Sequence, residues 1–295
     1  MFEWYVFALF TVVLSSAAAL VSKYGLVREH AMEFATIIAA VNAIILLPIL
    51  FTIDYSAIPG VAYALILLVA IFGAMAYLFV FKSVRHLPIS VSSPLLAIVP
   101  ALGAITGFLI LEETLQIHNI AGLLFVIAGV YVLEHERGIS LWKNLVVISK
   151  QKYVQYILIA AILYTFSGTI DRYLLSPTGI TISPLEYLAM VHFLIAMIFF
   201  FLLTFFYDGI DGVVNGLKKA WIAVFLVALL TLGYRYMQTM AFSMADGKLA
   251  LVEGIKRSSV LLTTIVGGML FHELNVMRHS FAALIIILGV FLLII

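Results

Sequence analysis

The sequence predicts an all-α membrane protein with ten transmembrane helices arranged as two inverted five-helix repeats, and three observations carry that expectation. Of 295 residues, 65% are hydrophobic and only 11% charged, whereas a soluble domain is about half apolar and about a quarter charged. Most of the surface therefore has to meet lipid. Apolar stretches of close to 20 residues, long enough to cross a hydrocarbon core of about 30 Å, recur from end to end. The chain also aligns with itself, its later helices at one offset and its earlier ones at slightly shorter offsets.

Sixteen Lys and Arg face fifteen Asp and Glu, for a formal charge of +1, so the basic field that nucleic acid requires is missing. Cysteine is absent, which excludes disulfides and thiolate chemistry. The first apolar run follows Met1-Phe2-Glu3 without a basic segment and is followed by Lys23 and Arg28, so it reads as a retained first span.

Hydropathy places the first five spans at Trp4 to Ser22, Phe34 to Phe51, Val61 to Phe81, Ile89 to Leu111 and Ile117 to Leu133. The second five run Val154 to Tyr173, Leu185 to Tyr207, Ala220 to Phe242, Leu249 to Phe271 and Met277 to Ile295. Turn chemistry separates them: Asp54 to Gly60 with Pro59, the Leu87-Pro88 step, Ser176-Pro177-Thr178-Gly179 and Asp208-Gly209. The expected organisation is a repeat over residues 1–136, a linker over 137–152 and a second repeat over 153–295. Within the linker, Ile139 to Lys150 reads either as an interfacial amphipathic helix with Trp142 at headgroup level or as plain connection.

A shift of 160 residues superposes Gly73 on Gly233, Ser83 on Ser243, Gly107 on Gly267, Glu113 on Glu273 and Gly129 on Gly289. Slightly shorter shifts bring Lys23-Tyr24 onto Arg172-Tyr173 and Glu33-Phe34 onto Glu186-Tyr187. Five spans is an odd number, so the second copy enters the membrane upside down, and substrate is expected near the midplane between the repeats. Eleven Lys and Arg fall on the side reached after the odd-numbered spans, against Arg172 and Lys248 on the other, which places both termini outside the cytoplasm.

Span 9 holds Glu253, Lys256 and Arg257 within an apolar helix, about 6 to 12 Å from its start. Ionisable groups at such depth are costly and face an interior cavity. Arg235 in span 8 lies as far before the Asp246-Gly247 turn as Arg257 lies after it, so one polar layer is expected. Three cations against Glu253 leave about two positive charges unmatched, which calls for an anion, water or a further carboxylate. The functional reading is a site for a carboxylate or phosphate, with Arg235 and Arg257 as planar forks, Lys256 as a point charge and Tyr234 and Tyr236 as hydroxyl donors. The plainer alternative is a structural ion-pair network that locks spans 8 and 9, with the cations snorkelling outward.

The matching stretch of span 4, Ser90-Val91-Ser92-Ser93-Pro94 followed by Pro100, Gly103 and Gly107, is uncharged and suits a bendable wall of the same cavity, with Ser93 as its candidate contact. Ordinary close packing through Gly103 and Gly107 explains those residues equally well. Glu113 and Glu273 read as caps near a helix N-terminus. Mid-span Asn42 and His192 read as satisfied interhelical hydrogen-bonding groups. Asp171-Arg172 reads as a gate pair or as interfacial. His272-Glu273 has no second His four residues on, and no phosphate loop or nucleophile elbow occurs, so neither an enzyme nor a metal or cofactor site is expected.

The two halves end in Gly107-Phe-Leu-Ile-Leu-Glu112-Glu113 followed by Gly122 and Gly129-Val, and in Gly267-Gly-Met-Leu-Phe-His-Glu273 followed by Gly289-Val. That doubled succession of apolar helix, Glu, polar turn and Gly-rich helix resembles the EamA-type branch of the drug/metabolite transporter superfamily. The resemblance implies ten spans, inverted repeats, a cavity lined by helices 3, 4, 8 and 9, and cytoplasmic termini, the last against the charge count. The Lys256-Arg257 pair also resembles the phosphate-holding pair of the triose-phosphate translocators, although their further lysine in span 4 has no equivalent here.

The expected activity is secondary transport, by alternating access, of a small anionic or zwitterionic metabolite across the cell membrane of a prokaryote. Arg235, Lys256 and Arg257 would contact its acidic group, and Glu253 would orient them or accept a coupling proton. The expected partners are that substrate, the bilayer, and a coupling proton or counter-substrate. Handling of a lipid head group, efflux of apolar drugs and membrane enzymology are the rival readings, in that order.

Overall fold

The computed structural model describes residues 3–27, 30–89, 92, 95–114, 116–134, 151–207, 210–270 and 276–294. Among the described residues it is helical, with no strand. Helix is the outcome because an apolar segment in lipid has no water to satisfy its amides, and only a helix closes its own backbone bonds.

In the first half the helices are α1 (Trp4–Leu26), α2 (Ala31–Leu50), α3 (Gly60–His86), α4 (Val99–Leu111) and α5 (Ile117–Glu134). The second half contains α6 (Lys152–Leu175), α7 (Pro184–Phe206), α8 (Ile210–Phe242), α9 (Leu249–Arg257), α10 (Ser259–Leu270) and α11 (Val276–Ile294). Local chemistry fits the ends. Pro184 opens α7, with Glu186 in its first turn, and Lys23, Arg172 and Arg85 stand in the last turns of α1, α6 and α3, where the helix dipole favours those charges.

Among the described residues, six helical segments are long and apolar enough to cross a membrane unaided: α1, α2, α3, α6, α7 and Trp221–Phe242 of α8. The protein is therefore an integral, multi-pass membrane protein. Spans 4 and 9 depart from the continuous helices expected of them. In span 4 a 3-10 turn at Leu96–Ile98 precedes α4, whose 13 residues start with Pro100 in the first turn. Proline lacks the N–H that a helix interior would use, so it begins a helix more readily than it continues one. Span 9 tightens at Ser258, where Ser258 N donates to Ile255 O at 2.9 Å and Leu261 N to Ser258 O at 3.1 Å. A short stretch of three-residue hydrogen bonds inside a helix is a common mark of a hinge. The stretch Ile139 to Lys150 and the turn holding His272 and Glu273 lie outside the described residues.

The most extensive packing joins α5 to α11, α1 to α8, α3 to α6 and α2 to α7, so each such pair takes one helix from each half. The largest core cluster is mixed in the same way, with Leu26, Phe34 and Phe81 against Phe199, Val224 and Val227. Large side chains such as Leu109, Phe205, Phe206 and Met269 stay exposed on the outer faces, as lipid permits.

At the α5–α11 seam the backbones touch. A Cβ on Gly289 would lie 2.7 Å from Gly122 O and from Val126 N, and one on Gly129 would lie 2.9 Å from Ile286 N. These obstacles are backbone atoms and cannot rotate away. Gly289→Ala is therefore expected to cost about 1–3 kcal/mol, read as earlier unfolding in micelles, whereas a substitution within ±0.5 kcal/mol of the parent would show that the helices separate freely. Gly73 and Gly233 lack that equivalence: the first faces Ile195 and the second Leu14.

Candidate functional site

Between the halves lies a cavity of about 200 Å³, walled by α1, α2, α3, α6, α7, α8, α9, α10 and the segment leading into α4. Arg235, Lys256, Arg257, Glu253 and Tyr234 all line it, so the two stretches of sequence expected to share one polar layer do so. Tyr236, two residues from Tyr234 and so turned away around the helix, packs instead against the apolar group of Leu46, Leu188 and Ala189. Ser93 lies outside the described residues; its neighbour Ser92 lines the cavity.

The polar layer is a connected network. Arg235 Nη2 stands 3.1 Å from Asp171 Oδ2, and Arg235 Nη1 donates to Gln238 Oε1 at 3.3 Å. Lys256 Nζ donates to the same Gln238 oxygen at 2.9 Å and sits 3.5 Å from Glu253 Oε1. Gln238 Nε2 donates to Glu253 Oε1, and the Tyr187 hydroxyl donates to Asp171 Oδ1. Arg257 Nη2 lies 3.5 Å from Glu253 Oε2, and the Lys256 ammonium stands 5.4 Å from the centre of the Tyr234 ring, within cation–π reach.

This arrangement corrects the charge balance. Asp171 belongs to the cavity and neutralises Arg235, so among the described lining residues two carboxylates oppose three cations and one positive charge is in excess, not two. Asp171 and Arg172 do not act as a pair, because adjacent helical positions point about 100° apart. Arg172 turns to the far side of α6, where its guanidinium donates to Phe242 O at 2.6 Å, Met244 O at 2.7 Å and Ala245 O at 2.8 Å and contacts Glu113 at 3.3 Å.

Glu113 caps a helix, but not the one that follows it. Its carboxylate accepts from Leu249 N at 3.2 and 3.1 Å, at the start of α9. Glu112, in the left-handed region at φ 56°, turns the chain so that Glu113 N reaches Gly107 O at 3.0 Å. A Cβ on Gly107 would lie 2.7 Å from the Glu113 carboxylate and would push it from its place. At the opposite end Lys23, at the end of α1, donates to Val84 O and Leu87 O, both at 2.7 Å, at the end of α3.

Asn42 and His192, expected to be satisfied by neighbouring helices, are not. Asn42 Oδ1, His192 Nε2, Ser92 Oγ, Glu253 Oε2 and Arg257 Nε are buried without a hydrogen-bond partner, and all five residues line the cavity. Gln238 and Tyr187 were not among the residues expected in the polar layer, Tyr187 entering the sequence comparison only as the repeat match of Phe34. Gln238 sits three residues after Arg235, on the same helical face, which was a usable signal; nothing in the local sequence marks Tyr187.

Comparison with known proteins bears on the whole chain unevenly. No curated protein matches it significantly. A solved structure titled "Crystal structure of protein" covers 97% of this chain and 94% of its own, with a TM-score of 0.67 at 14% identity, a likeness of fold alone. Residues 2–134 match the EamA-like transporter family, so the first five helices of this multi-pass membrane protein are similar to a transporter unit of the drug/metabolite type.

Proposed function

We propose that the protein is a secondary transporter of a small organic anion, which it holds in the central cavity and releases to either side as two inverted five-helix repeats rock against each other. The observation that carries this reading is the excess of one positive charge, with Lys256 and Arg257 sharing the single carboxylate of Glu253 and open donor and acceptor atoms around them, inside an otherwise apolar molecule. An uncompensated buried charge is costly, and a carboxylate or phosphate between Lys256 and Arg257 removes that cost. Open polar atoms in the middle of a membrane protein are usual where solute passes.

The repeat reading is supported by the cavity wall. Ser15, Ala18, Ala19 and Ser22 of α1 correspond to Tyr164, Ser167, Gly168 and Asp171 of α6 at the same offset that relates Lys23 to Arg172. Ile38, Ala39 and Asn42 of α2 correspond to Val191, His192 and Ile195 of α7 at the offset that relates Glu33 to Glu186. Inversion is supported by direction: Gly233 of α8 sits by Leu14 of α1 and Ala223 by Gly25, an antiparallel pair, whereas the end of α1 meets the end of α3 through Lys23. Interrupted spans at matching places, span 4 and span 9, are a usual pointer to the substrate site in such folds.

The test is binding and counterflow of small carboxylates and phosphate esters with purified protein in liposomes. Lys256→Ala and Arg257→Ala are each expected to weaken binding of the acidic substrate at least about tenfold while leaving unfolding in micelles near the parent's. Unchanged uptake by both variants removes the assignment.

A further inference from the structure

The same cavity holds a second set of open groups, on neutral side chains, and what they are tells what kind of anion fits. This step rests on the anion-site reading above and goes beyond it. From the features of the structure we infer that the ligand is a hydroxylated monocarboxylate: one negative charge at Lys256 and Arg257, and neutral hydroxyl groups at Asn42, His192 and Ser92.

Charge decides the first half of that statement. Asp171 and Glu253 stand against Arg235, Lys256 and Arg257 among the described lining residues, an excess of one. A monoanion brings the cavity to neutrality; a dianion would leave it with a net negative charge in a poorly solvated space, with the cost that uncompensated charge carries there.

Unsatisfied atoms decide the second half. Of the six buried side-chain polar atoms without a hydrogen-bond partner among the described residues, five line this cavity. Two of them, Glu253 Oε2 and Arg257 Nε, belong to the charged wall. The other three are neutral: Asn42 Oδ1 on α2, His192 Nε2 on α7 and Ser92 Oγ before α4, on residues 1%, 5% and 0% exposed. Helices α2 and α7 pack on each other and contribute no charged residue to the lining, so two of the neutral groups stand on helices other than those that carry the cations. Hydroxyls suit all three because each both donates and accepts, whichever His tautomer or Asn orientation holds. A site built to bond hydroxyls rejects an analogue that lacks them, since its own polar atoms are then buried unpaired.

Four compounds on one four-carbon skeleton separate the terms: threonate (one charge, hydroxylated), butyrate (one charge, no hydroxyl), tartrate (two charges, hydroxylated) and erythritol (no charge, hydroxylated). Affinities for the purified protein in micelles are expected to favour threonate over each of the others by roughly tenfold or more. Asn42→Ala and His192→Ala should bring threonate down to the butyrate value without altering butyrate, and Glu253→Gln, which raises the excess to two, should move the preference toward tartrate.

The anion-site reading itself fails if no acid binds, or if the acids bind equally to the Lys256→Met and Arg257→Met variants. The present inference alone fails if the acids depend on Lys256 and Arg257 but tartrate or butyrate binds as tightly as threonate. It also fails if neither Asn42→Ala nor His192→Ala narrows the gap between threonate and butyrate.

Discussion

Replacing Asp171 by alanine is expected to destabilise the protein by about 3–5 kcal/mol, the usual cost of removing one partner from a buried ion pair. Asp171 is 1% exposed, and its two oxygens serve Arg235 at 3.1 Å and the Tyr187 hydroxyl. Without it Arg235 keeps neutral partners, Gln238 at 3.3 Å and the neighbouring Tyr187 hydroxyl, and no carboxylate. Arg235→Met is expected to harm comparably, since it strands the carboxylate. The double variant Asp171→Ala/Arg235→Met should be less damaged than the two losses combined, by about 2–3 kcal/mol of coupling. Equilibrium unfolding in micelles measures all three. Additive effects, or a single-variant cost below about 1 kcal/mol, would place the pair in a well-hydrated setting where ion pairs count for little.

That pair also marks where the sequence stopped being readable. The helices were legible because lipid imposes a simple rule, an apolar run of span length becoming helix, and the observed α1, α2, α3, α6 and α7 all overlap their predicted ranges. The charged layer was legible too, since Arg235, Lys256 and Arg257 had no business in an apolar run unless they faced inward. The partner of Arg235 was not. Asp171 is 64 residues away in sequence, and its neighbour Arg172 offered a nearer and misleading match. Adjacent helical residues face different ways, but which face of α6 meets the cavity depends on packing across the halves, and one sequence does not reveal that. For the same reason Glu113 could be placed at a helix N-terminus, though not at that of α9, 136 residues on.

Arg172→Met is expected to open the end of the molecule away from Lys23. The Arg172 guanidinium ties three carbonyls of the α8–α9 turn to the end of α6, and through Glu113 it joins the end of α4 to the first amide of α9. Four chain segments thus meet at one side chain that is 5% exposed. Methionine fills similar space and donates nothing, so Phe242 O, Met244 O and Ala245 O each lose a donor, Met244 O keeping the Gly247 amide at 3.1 Å, and Glu113 keeps the Leu249 amide. A cost of about 2–4 kcal/mol follows, and it falls on this end of the molecule rather than on the fold as a whole. Arg172→Lys should give an intermediate effect, because a compact ammonium cannot spread over three carbonyls and a carboxylate as a planar fork does. The chain has no cysteine, so Ser167→Cys on the cavity wall can be probed without background by a water-soluble thiol reagent applied from the Arg172 side in sealed liposomes. Its reaction rate should rise at least about tenfold in the Arg172→Met background, the rate following the population of the open form when opening and closing are fast. An unchanged rate, together with unchanged stability, would mean that the contacts around Arg172 add nothing to the packing of its apolar neighbours Leu174, Phe242 and Leu249.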